Sequence, residues 1–546
     1  MKKTFKKIAA SIMAITSLAM SATGLHSMAE TNEIESEDSG FGEGLISESE
    51  DDLNAFAAQF EPDNQITPFA ATSLPSSVDL STSPCFPPIG NQGSIGSCTA
   101  WASTYYQYSY EVNKLNNVTS TADRVIYSPK WTYNNINSGV DNGSSYTDAY
   151  TLLKNQGAVT LNEFPYSSSG YDLQDLPTYD GAIEDMRNAL NTRLSFYGTY
   201  TISGSGTVIT SNKDSDLNQV KTALNNGKVL TFQTYNDFNY KKGTGNWSNT
   251  KLVYRCYNAP NSGSHAMTIV GYDDNVTCDI NGNGTIEAGE RGAFKVINSW
   301  GTTNSGANNA GALWIMYDAL NGKSANNLDE SQFPYTRQRV FGIGINNVFN
   351  YINVDHKNVM FVAEVSFTTE RRNQIKIQLG KSTTLDSEDI WNTVYNFSSG
   401  RDNEVFYDGT MVFDYGDLTE SLIDFYDILH LRIMLSDTYK DGYKATYKGM
   451  KITDNLGNSL TKFSTNGFNP DGSSYAPTWL GGLKKGDINL DKKVTKEDAE
   501  AILQYYADSM ALNNPVISNL QFFLADMNND GSVDISDSSL VLSSIQ

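Results

Sequence analysis

One cysteine stands where a chain can make it reactive. Cys98 ends the glycine-broken run Gln92-Gly93-Ser94-Ile95-Gly96-Ser97 and opens an aromatic-rich helical stretch beginning Thr99-Ala100-Trp101. At a helix start the unpaired backbone N–H groups and the positive end of the macrodipole favour thiolate over thiol, which turns a cysteine into a nucleophile near neutral pH. Such a nucleophile needs a proton carrier, and the chain has only four histidines. His26 lies in a segment expected to be removed, and His356 and His430 lie in strand-rich sequence far downstream. His265 remains, at the mouth of the apolar run Met267-Thr268-Ile269-Val270. A second short strand, Phe294-Lys295-Val296-Ile297, ends in Asn298, which can orient the imidazole while Trp300 shields that contact. The chemistry of such a set is acyl transfer through a thioester.

Two elements must position these groups: a helix carrying the thiol and a pair of glycine-bounded strands carrying the base and the amide. With Leu74-Pro75-Ser76-Ser77-Val78-Asp79-Leu80 as a start and Asn298-Ser299-Trp300-Gly301 as a motif, the chain from Leu74 into the 320s resembles a papain-family cysteine peptidase. The resemblance implies that Cys98 attacks the carbonyl, His265 carries the proton and Asn298 holds His265. Gln92, six residues before Cys98, would join the Cys98 backbone N–H in an oxyanion hole. Thr99 stands where papain itself has tryptophan. By the same resemblance Gly143 contacts substrate backbone, and Ser264, Ala266 and Trp300 line the substrate site. Two other classes remain open: an idle calcium-dependent binding or scaffold protein, and a papain-fold acyl-transferase.

The connection between the base and amide strands carries a different pattern. Asp279, Asn281, Asn283, Thr285, Glu287 and Glu290 fall at positions one, three, five, seven, nine and twelve of an EF-hand-like loop, with Gly284 at the sixth. That spacing suits calcium: oxygen donors, a backbone carbonyl at the seventh position and a bidentate-capable glutamate last. The same register recurs twice near the C-terminus, in Asp487, Asn489, Asp491, Lys493, Thr495 and Asp498, and in Asp526, Asn528, Asp530, Ser532, Asp534 and Asp537. Each of these loops leads into a helical pattern, so the repeat is a loop plus a helix. Residues 486–546 thereby resemble a type I dockerin. This implies two calcium ions there, beside one in the 279–290 loop, and a cohesin module of a scaffold protein as partner. Lys496 and Glu497 of one repeat, and Ile535 and Ser536 of the other, would face that partner.

The remaining organisation follows from composition. Lys2, Lys3, Lys6 and Lys7 precede an apolar run and Ser27-Met28-Ala29, which reads as a signal peptide over 1–29 and places the protein outside the cell, where the dockerin resemblance implies attachment to a cellulosome. A short acidic prosegment, 30–73, follows, in which Leu53–Phe60 or Ile66–Phe69 could enter the cleft or simply form part of a linker. The peptidase is expected over 74–341 as an α+β domain of helical lobe plus β lobe. A β-sandwich module is expected over 342–469, a linker over 470–485, and the small α-helical dockerin last. Trp391 and Tyr395 could offer the module a ligand platform, with a structural spacer as the default. The formal net charge of −23 argues against nucleic acid and anionic membranes, and no stretch is long enough to span a bilayer. With Cys98 set aside, Cys85, Cys256 and Cys278 permit one disulfide, Cys256–Cys278 being the favoured pair, or three free thiols.

Overall fold

The computed structural model describes residues 42–61, 74–203, 214–260, 263–303, 311–344, 346–382, 390–396, 404–415, 430–463, 470–475, 478–480 and 482–545. The chain divides into two compact units, Met1–Glu35 and Ser36–Gln546, and every described residue belongs to the second. The expected signal peptide, His26, the Ile66–Phe69 patch and a helix-like stretch at 418–427 lie outside the described residues. No helix among the described residues is long and apolar enough to cross a membrane.

The N-terminal part of the described chain is built around one buried helical rod. After α1 (Glu50–Ala57), α2 (Cys98–Ala100) continues through a π-helical stretch (Trp101–Tyr108) into α3 (Ser109–Leu115). Residues 98–113 are buried on every side, so their polar atoms need internal partners. The tyrosines supply them: the hydroxyls of Tyr105, Tyr106, Tyr108 and Tyr110 donate to the carbonyls of Pro88, Asn298, Thr192 and Gly227. Around the rod pack α4 (Pro129–Ile136), α5 (Tyr146–Gln156), α6 (Ala182–Ala189) and α7 (Ser215–Asn225). Ser128 and Ser145 cap α4 and α5 by accepting amides of their first turns.

The β lobe is a single sheet of ten strands: β1 (Ser77–Asp79), β2 (Thr192–Ile202), β3 (Leu230–Tyr235), β4 (Asp237–Lys242), β5 (Lys251–Tyr257), β6 (Ser264–Thr277), β7 (Arg291–Ile297), β8 (Ala312–Met316), β9 (Arg337–Gln338) and β10 (Asn347–His356). Their order is β2-β10-β3-β6-β7-β8-β5-β4, with β1 on β6 and β9 on β5. β10 corrects the expected boundary at 341. It pairs antiparallel with β2 from Asn347↔Ile202 to His356↔Thr192, so the ten-stranded sheet runs on to His356. The long apolar alternation of 347–356 reads equally well as a strand of either domain; only its partner decides.

The ancillary module holds β11 (Val362–Thr369), β12 (Ile375–Ser382), β13 (Ile390–Tyr395), β14 (Tyr407–Asp414), β15 (His430–Asp437), β16 (Thr446–Thr453), β17 (Ser459–Phe463), β18 (Ser474–Tyr475) and β19 (Thr478–Leu480). They form two sheets, β14-β11-β16-β17 and β13-β12-β15-β18 with β19 also on β15. The inward side chains of both sheets share one core, including Val365, Phe413, Ile377 and Ile433, as a sandwich requires. Because β18 and β19 pair with β15, part of the expected 470–485 linker, residues 474–475 and 478–480, is sheet. Tyr395 is buried at 2% exposure against Phe413 and offers no ligand platform.

The C-terminal region consists of α8 (Lys496–Met510), α9 (Asn519–Ala525) and α10 (Ile535–Ser544). α9, a helix entering the second loop, breaks the expected loop-plus-helix repeat. It is seated on the module: the Asn519 side chain donates to the Val359 carbonyl at 2.9 Å, and its amide to Asn455 Oδ1 at 2.8 Å. Leu520 and Leu524 enter the module's core.

All four cysteines are free and buried, so the Cys256–Cys278 bridge does not form. The Cys256 thiol donates to the Tyr235 carbonyl and the Cys278 thiol to that of Lys242. These acceptors are the last residues of β3 and β4, with the length of β4 between them, on the order of 17 Å of extended chain and far beyond disulfide reach.

Candidate active site

Cys98 opens α2 with 0% exposure. His265 enters from β6 and Asn298 follows the last residue of β7; the register Thr268↔Ile297 sets the two side by side. His265 Nε2 lies 2.8 Å from Asn298 Oδ1. Its Nδ1 has no conventional partner, and the imidazole lies close enough to the Cys98 thiol to favour its ionised form. Burial is the largest influence on that thiol and opposes ionisation. It is outweighed by the His265 charge, the His265 hydrogen bond and the amides of Gly44 and Ala266, so the Cys98 pKa falls below its ordinary value. The Trp300 ring covers the imidazole at 4.9 Å between centroids. Asn298 is held in turn, its Oδ1 accepting the Ser299 amide at 2.7 Å and its carbonyl the Tyr106 hydroxyl at 3.1 Å. Gln92 is fully buried beside them, its Oε1 accepting the Ser299 hydroxyl.

Residues 42–48 run through this cleft as a strap. Gln92 Nε2 donates to the Gly42 carbonyl and to that of Ile95, both at 2.8 Å. The Leu45 amide donates to the Ser264 carbonyl at 3.1 Å. Gly44 and Ile46 bracket Ser144 in a parallel bridge, with Ser144 N to Gly44 O at 2.8 Å and Ile46 N to Ser144 O at 3.0 Å. Gly143, with φ +82°, leaves room for this approach, since a Cβ there would fall 2.1 Å from the Gly44 oxygen. A Cβ on Gly44 itself would fall 1.9 Å from the Gly96 oxygen. The Leu45 side chain packs in one cluster with Ala266 and Cys98. The structure thus brings Gln92, Cys98, Gly143, Ser264, His265, Ala266, Asn298 and Trp300 to one place.

The residues that enter the cleft are not the expected Leu53–Phe60, which instead form α1 and the turn after it. There Leu53 and Phe56 are buried, and Phe56 lies 5.0 Å from Tyr197 of β2. Glycines stand where the strap backbone comes closest to the nucleophile loop, Gly42 against Ile95 and Gly44 against Gly96. Gly42, Gly44 and Glu48 were not singled out from sequence; a signal was present in Gly42-Glu43-Gly44 followed by the Ser49…Asp52 capping box of α1.

Glu48 anchors the strap at the start of α5. It accepts the Tyr146 amide at 2.8 Å, the Thr147 amide at 3.2 Å and the Thr147 hydroxyl, while its backbone N–H donates to Gln233 Oε1 at 2.8 Å. Burial nevertheless dominates and pushes its carboxyl up to about 7. A free strap would ionise near the ordinary value of 4.5, so binding takes up a proton between these values. Strap affinity is then greatest below about 4.5, and falls as pH rises toward 7. A peptide spanning 42–61 should inhibit the processed peptidase about tenfold or more less tightly at pH 8 than at pH 5. Equal inhibition constants would show that Glu48 stays ionised in the complex.

The three calcium-type loops share one internal hydrogen-bond pattern. The first-position carboxylate accepts amides from the fifth and sixth residues in each: Asp279 from Asn283 and Gly284, Asp487 from Asp491 and Lys492, Asp526 from Asp530 and Gly531. The last carboxylate of each, Glu290, Asp498 or Asp537, is fully buried and accepts amides from within its loop. The middle carboxylate or amide oxygens, Asn283, Asp491 and Asp530, accept the amides of Thr285, Lys493 and Ser532. All-oxygen donor sets around a buried carboxylate fit calcium rather than a softer metal. Lys496, Glu497, Ile535 and Ser536 are exposed on the first turns of α8 and α10.

Among solved structures, the chain is similar to xylellain, a cysteine protease from Xylella fastidiosa, at 21% identity over 57% of this chain and 96% of that one, with a TM-score of 0.34. It is similar also to the cysteine protease and lectin-like domains of Cwp84, a surface layer associated protein of Clostridium difficile, at 18% identity over 72% and 87%, with a TM-score of 0.30. No curated protein matches the chain. Residues 74–311 match the papain family cysteine protease model and residues 485–546 the dockerin type I domain. With the α+β architecture described above, the chain carries a papain-family cysteine protease domain and, at its C-terminal end, a type I dockerin domain.

Proposed function

We propose that this protein is a secreted cysteine endopeptidase, attached to a cellulosomal scaffold through its dockerin, with Cys98, His265, Asn298 and Gln92 as its catalytic set. The observation that carries the reading is the placement of His265 between Asn298, at 2.8 Å, and the Cys98 thiol, whose ionisation it favours. The Cys98 thiolate attacks the peptide carbonyl. Gln92 Nε2 and the Cys98 N–H stabilise the oxyanion, and protonated His265 gives its proton to the leaving amine. Neutral His265 then takes a proton from water, which attacks the thioester and frees Cys98. An endopeptidase is favoured because the strap lies along the cleft as a continuous segment, from Gly42 at Gln92 to Glu48 at the start of α5.

The test is labelling of the processed protein with a peptidyl epoxide and mapping of the modified residue by mass spectrometry. Stoichiometric label on Cys98 that disappears in His265→Ala is expected. Absence of label under all conditions favours an idle binding protein, and preferential capture of the acyl group by added amines favours an acyl-transferase.

The dockerin loops hold two calcium ions in this reading, through Asp487, Asn489, Asp491, Lys493, Thr495 and Asp498, and through Asp526, Asn528, Asp530, Ser532, Asp534 and Asp537. Calcium supplies the charge that lets so many acidic groups fold together. The 279–290 loop holds a third ion and stiffens the β6–β7 hairpin that carries His265 and Asn298. A chelator should lower the temperature at which the peptidase loses activity by on the order of 5 °C, whereas Glu290→Gln should show little further response. An equal response in both proteins would remove the loop from the calcium inventory.

A further inference from the structure

The two donors assigned to the oxyanion, Gln92 Nε2 and the Cys98 N–H, stand at the two ends of one loop, 92–98. The Gln92 side chain is oriented by Ser299, whose hydroxyl its Oε1 accepts, and by the Ile95 carbonyl, to which Nε2 donates at 2.8 Å. The Gly96 amide in the middle of the loop donates to Asp141 Oδ1 at 2.8 Å. The two ends are joined to each other by a side chain from outside the loop, Tyr166. Its segment is fixed by the Tyr127↔Thr160 bridge and by the Ser128 hydroxyl, which donates to the Phe164 carbonyl at 2.6 Å.

The Tyr166 hydroxyl donates to the Gln92 carbonyl at 2.7 Å and lies 2.8 Å from Ser97 Oγ. A carbonyl only accepts, so the single phenolic hydrogen goes to Gln92 and the Ser97 hydroxyl donates to the Tyr166 oxygen. Ser97 stands at the N-cap of α2, where a serine hydroxyl ordinarily accepts an amide of the first turn. It makes no such bond here and is turned to Tyr166 instead. Gln92 and Ser97 are both fully buried, so without Tyr166 their carbonyl and hydroxyl have no water to replace it. Trp101 and Tyr171 hold the Tyr166 ring, at 5.1 and 5.0 Å between centroids. Burial pushes the phenol up to about 12, so it keeps its proton wherever the peptidase would work.

We propose that Tyr166 is a positioning residue for the oxyanion hole: its hydroxyl clasps Gln92 to Ser97, the residue before the nucleophile, and so fixes the spacing of the two donors. It touches no reacting atom. Donors of this kind act only when they are already aimed at the place where negative charge develops, and their effect falls steeply when they are displaced. Loss of the clasp therefore acts on the transition state and leaves the binding of the uncharged substrate largely as it was. The proposal rests on the catalytic reading of Cys98 and Gln92 and adds to it a residue 68 positions beyond the nucleophile in sequence.

The test is steady-state hydrolysis of a peptide anilide by the processed protein, with module and dockerin retained, for the wild type, Tyr166→Phe and Ser97→Ala. Tyr166→Phe is expected to lower kcat about tenfold to a hundredfold with KM changed by less than about twofold, because an interaction used only in the transition state lowers kcat and kcat/KM together. Ser97→Ala is expected to lower kcat less, again at constant KM. The double variant should lose no more than Tyr166→Phe alone, since both act through one hydroxyl. The pH profile of Cys98 alkylation is expected to stay where it is, because His265 and not Tyr166 favours the thiolate. An unchanged kcat in Tyr166→Phe, or a loss carried by KM or by a displaced alkylation profile, would overturn the proposal. Should Tyr166→Phe fail to fold, Ser97→Ala decides by the same split. A wild type that hydrolyses no peptide would remove the catalytic reading and this proposal with it, whereas an active wild type beside equally active variants would remove the proposal alone.

Discussion

His265→Ala is expected to lower kcat/KM toward a peptide substrate by about four orders of magnitude. The loss has two parts. The leaving amine loses its proton donor, and Cys98 loses the group that favours its ionised form. Burial is the largest influence on the thiol and drives it toward the neutral form; the His265 charge and hydrogen bond lead the influences against it. Without them the half-point for Cys98 alkylation should move from below to above the ordinary thiol value of 9.0. The pH profile of iodoacetamide alkylation measures that shift apart from turnover. An unshifted profile would mean that the amides of Gly44 and Ala266 hold the thiolate unaided. Asn298→Ala should cost less, roughly tenfold to a hundredfold, because it frees the imidazole to turn without removing it.

The second large effect concerns the strap. A chain beginning at Leu74 should hydrolyse peptides at least about a hundredfold faster than one retaining residues 42–61, since a tethered occupant acts at millimolar effective concentration. The retained strap places the Gly42 carbonyl on Gln92 Nε2 at 2.8 Å, and so takes the donor expected to stabilise the oxyanion. Gly44→Ala offers release without truncation, because its Cβ would meet the Gly96 oxygen at 1.9 Å. The intact Gly44→Ala chain is therefore expected to recover much of the truncated chain's rate. If neither change raises the rate, the cleft is not closed by this segment.

Much of this was legible beforehand, and the reason is locality. The Cys98, His265 and Asn298 runs each carry their own turn residues and a local pattern, an aromatic-rich helical one after Cys98 and short strands beside His265 and Asn298. The calcium loops are legible for the same reason, each written in twelve consecutive residues. What escaped depends on distant partners. β10 lies beside β2, about 150 residues earlier in the chain, and no local pattern names that neighbour. The strap's glycines matter only because backbone from three other segments closes around them, and the two buried thiols proved separate only once β4 was seen to lie between them. Thr99, in the place of papain's tryptophan, is accommodated by a hydroxyl that donates to the Ser144 carbonyl at 2.9 Å, tying the nucleophile's helix to the strip beside the strap.

The seating of α9 on the β module bears on geometry at a larger scale. An enzyme joined to its anchor by a floppy tether sweeps a sphere and meets every neighbour within its radius. Here Asn519, Leu520 and Leu524 fasten the anchor to a module that is itself continuous with the peptidase's core. In the proposed attachment, these contacts hold the mouth of the cleft along one bearing relative to the scaffold. Which polypeptides are cut then becomes a matter of where they stand on the assembly as much as of their sequence, and modules outside that arc are spared by position alone.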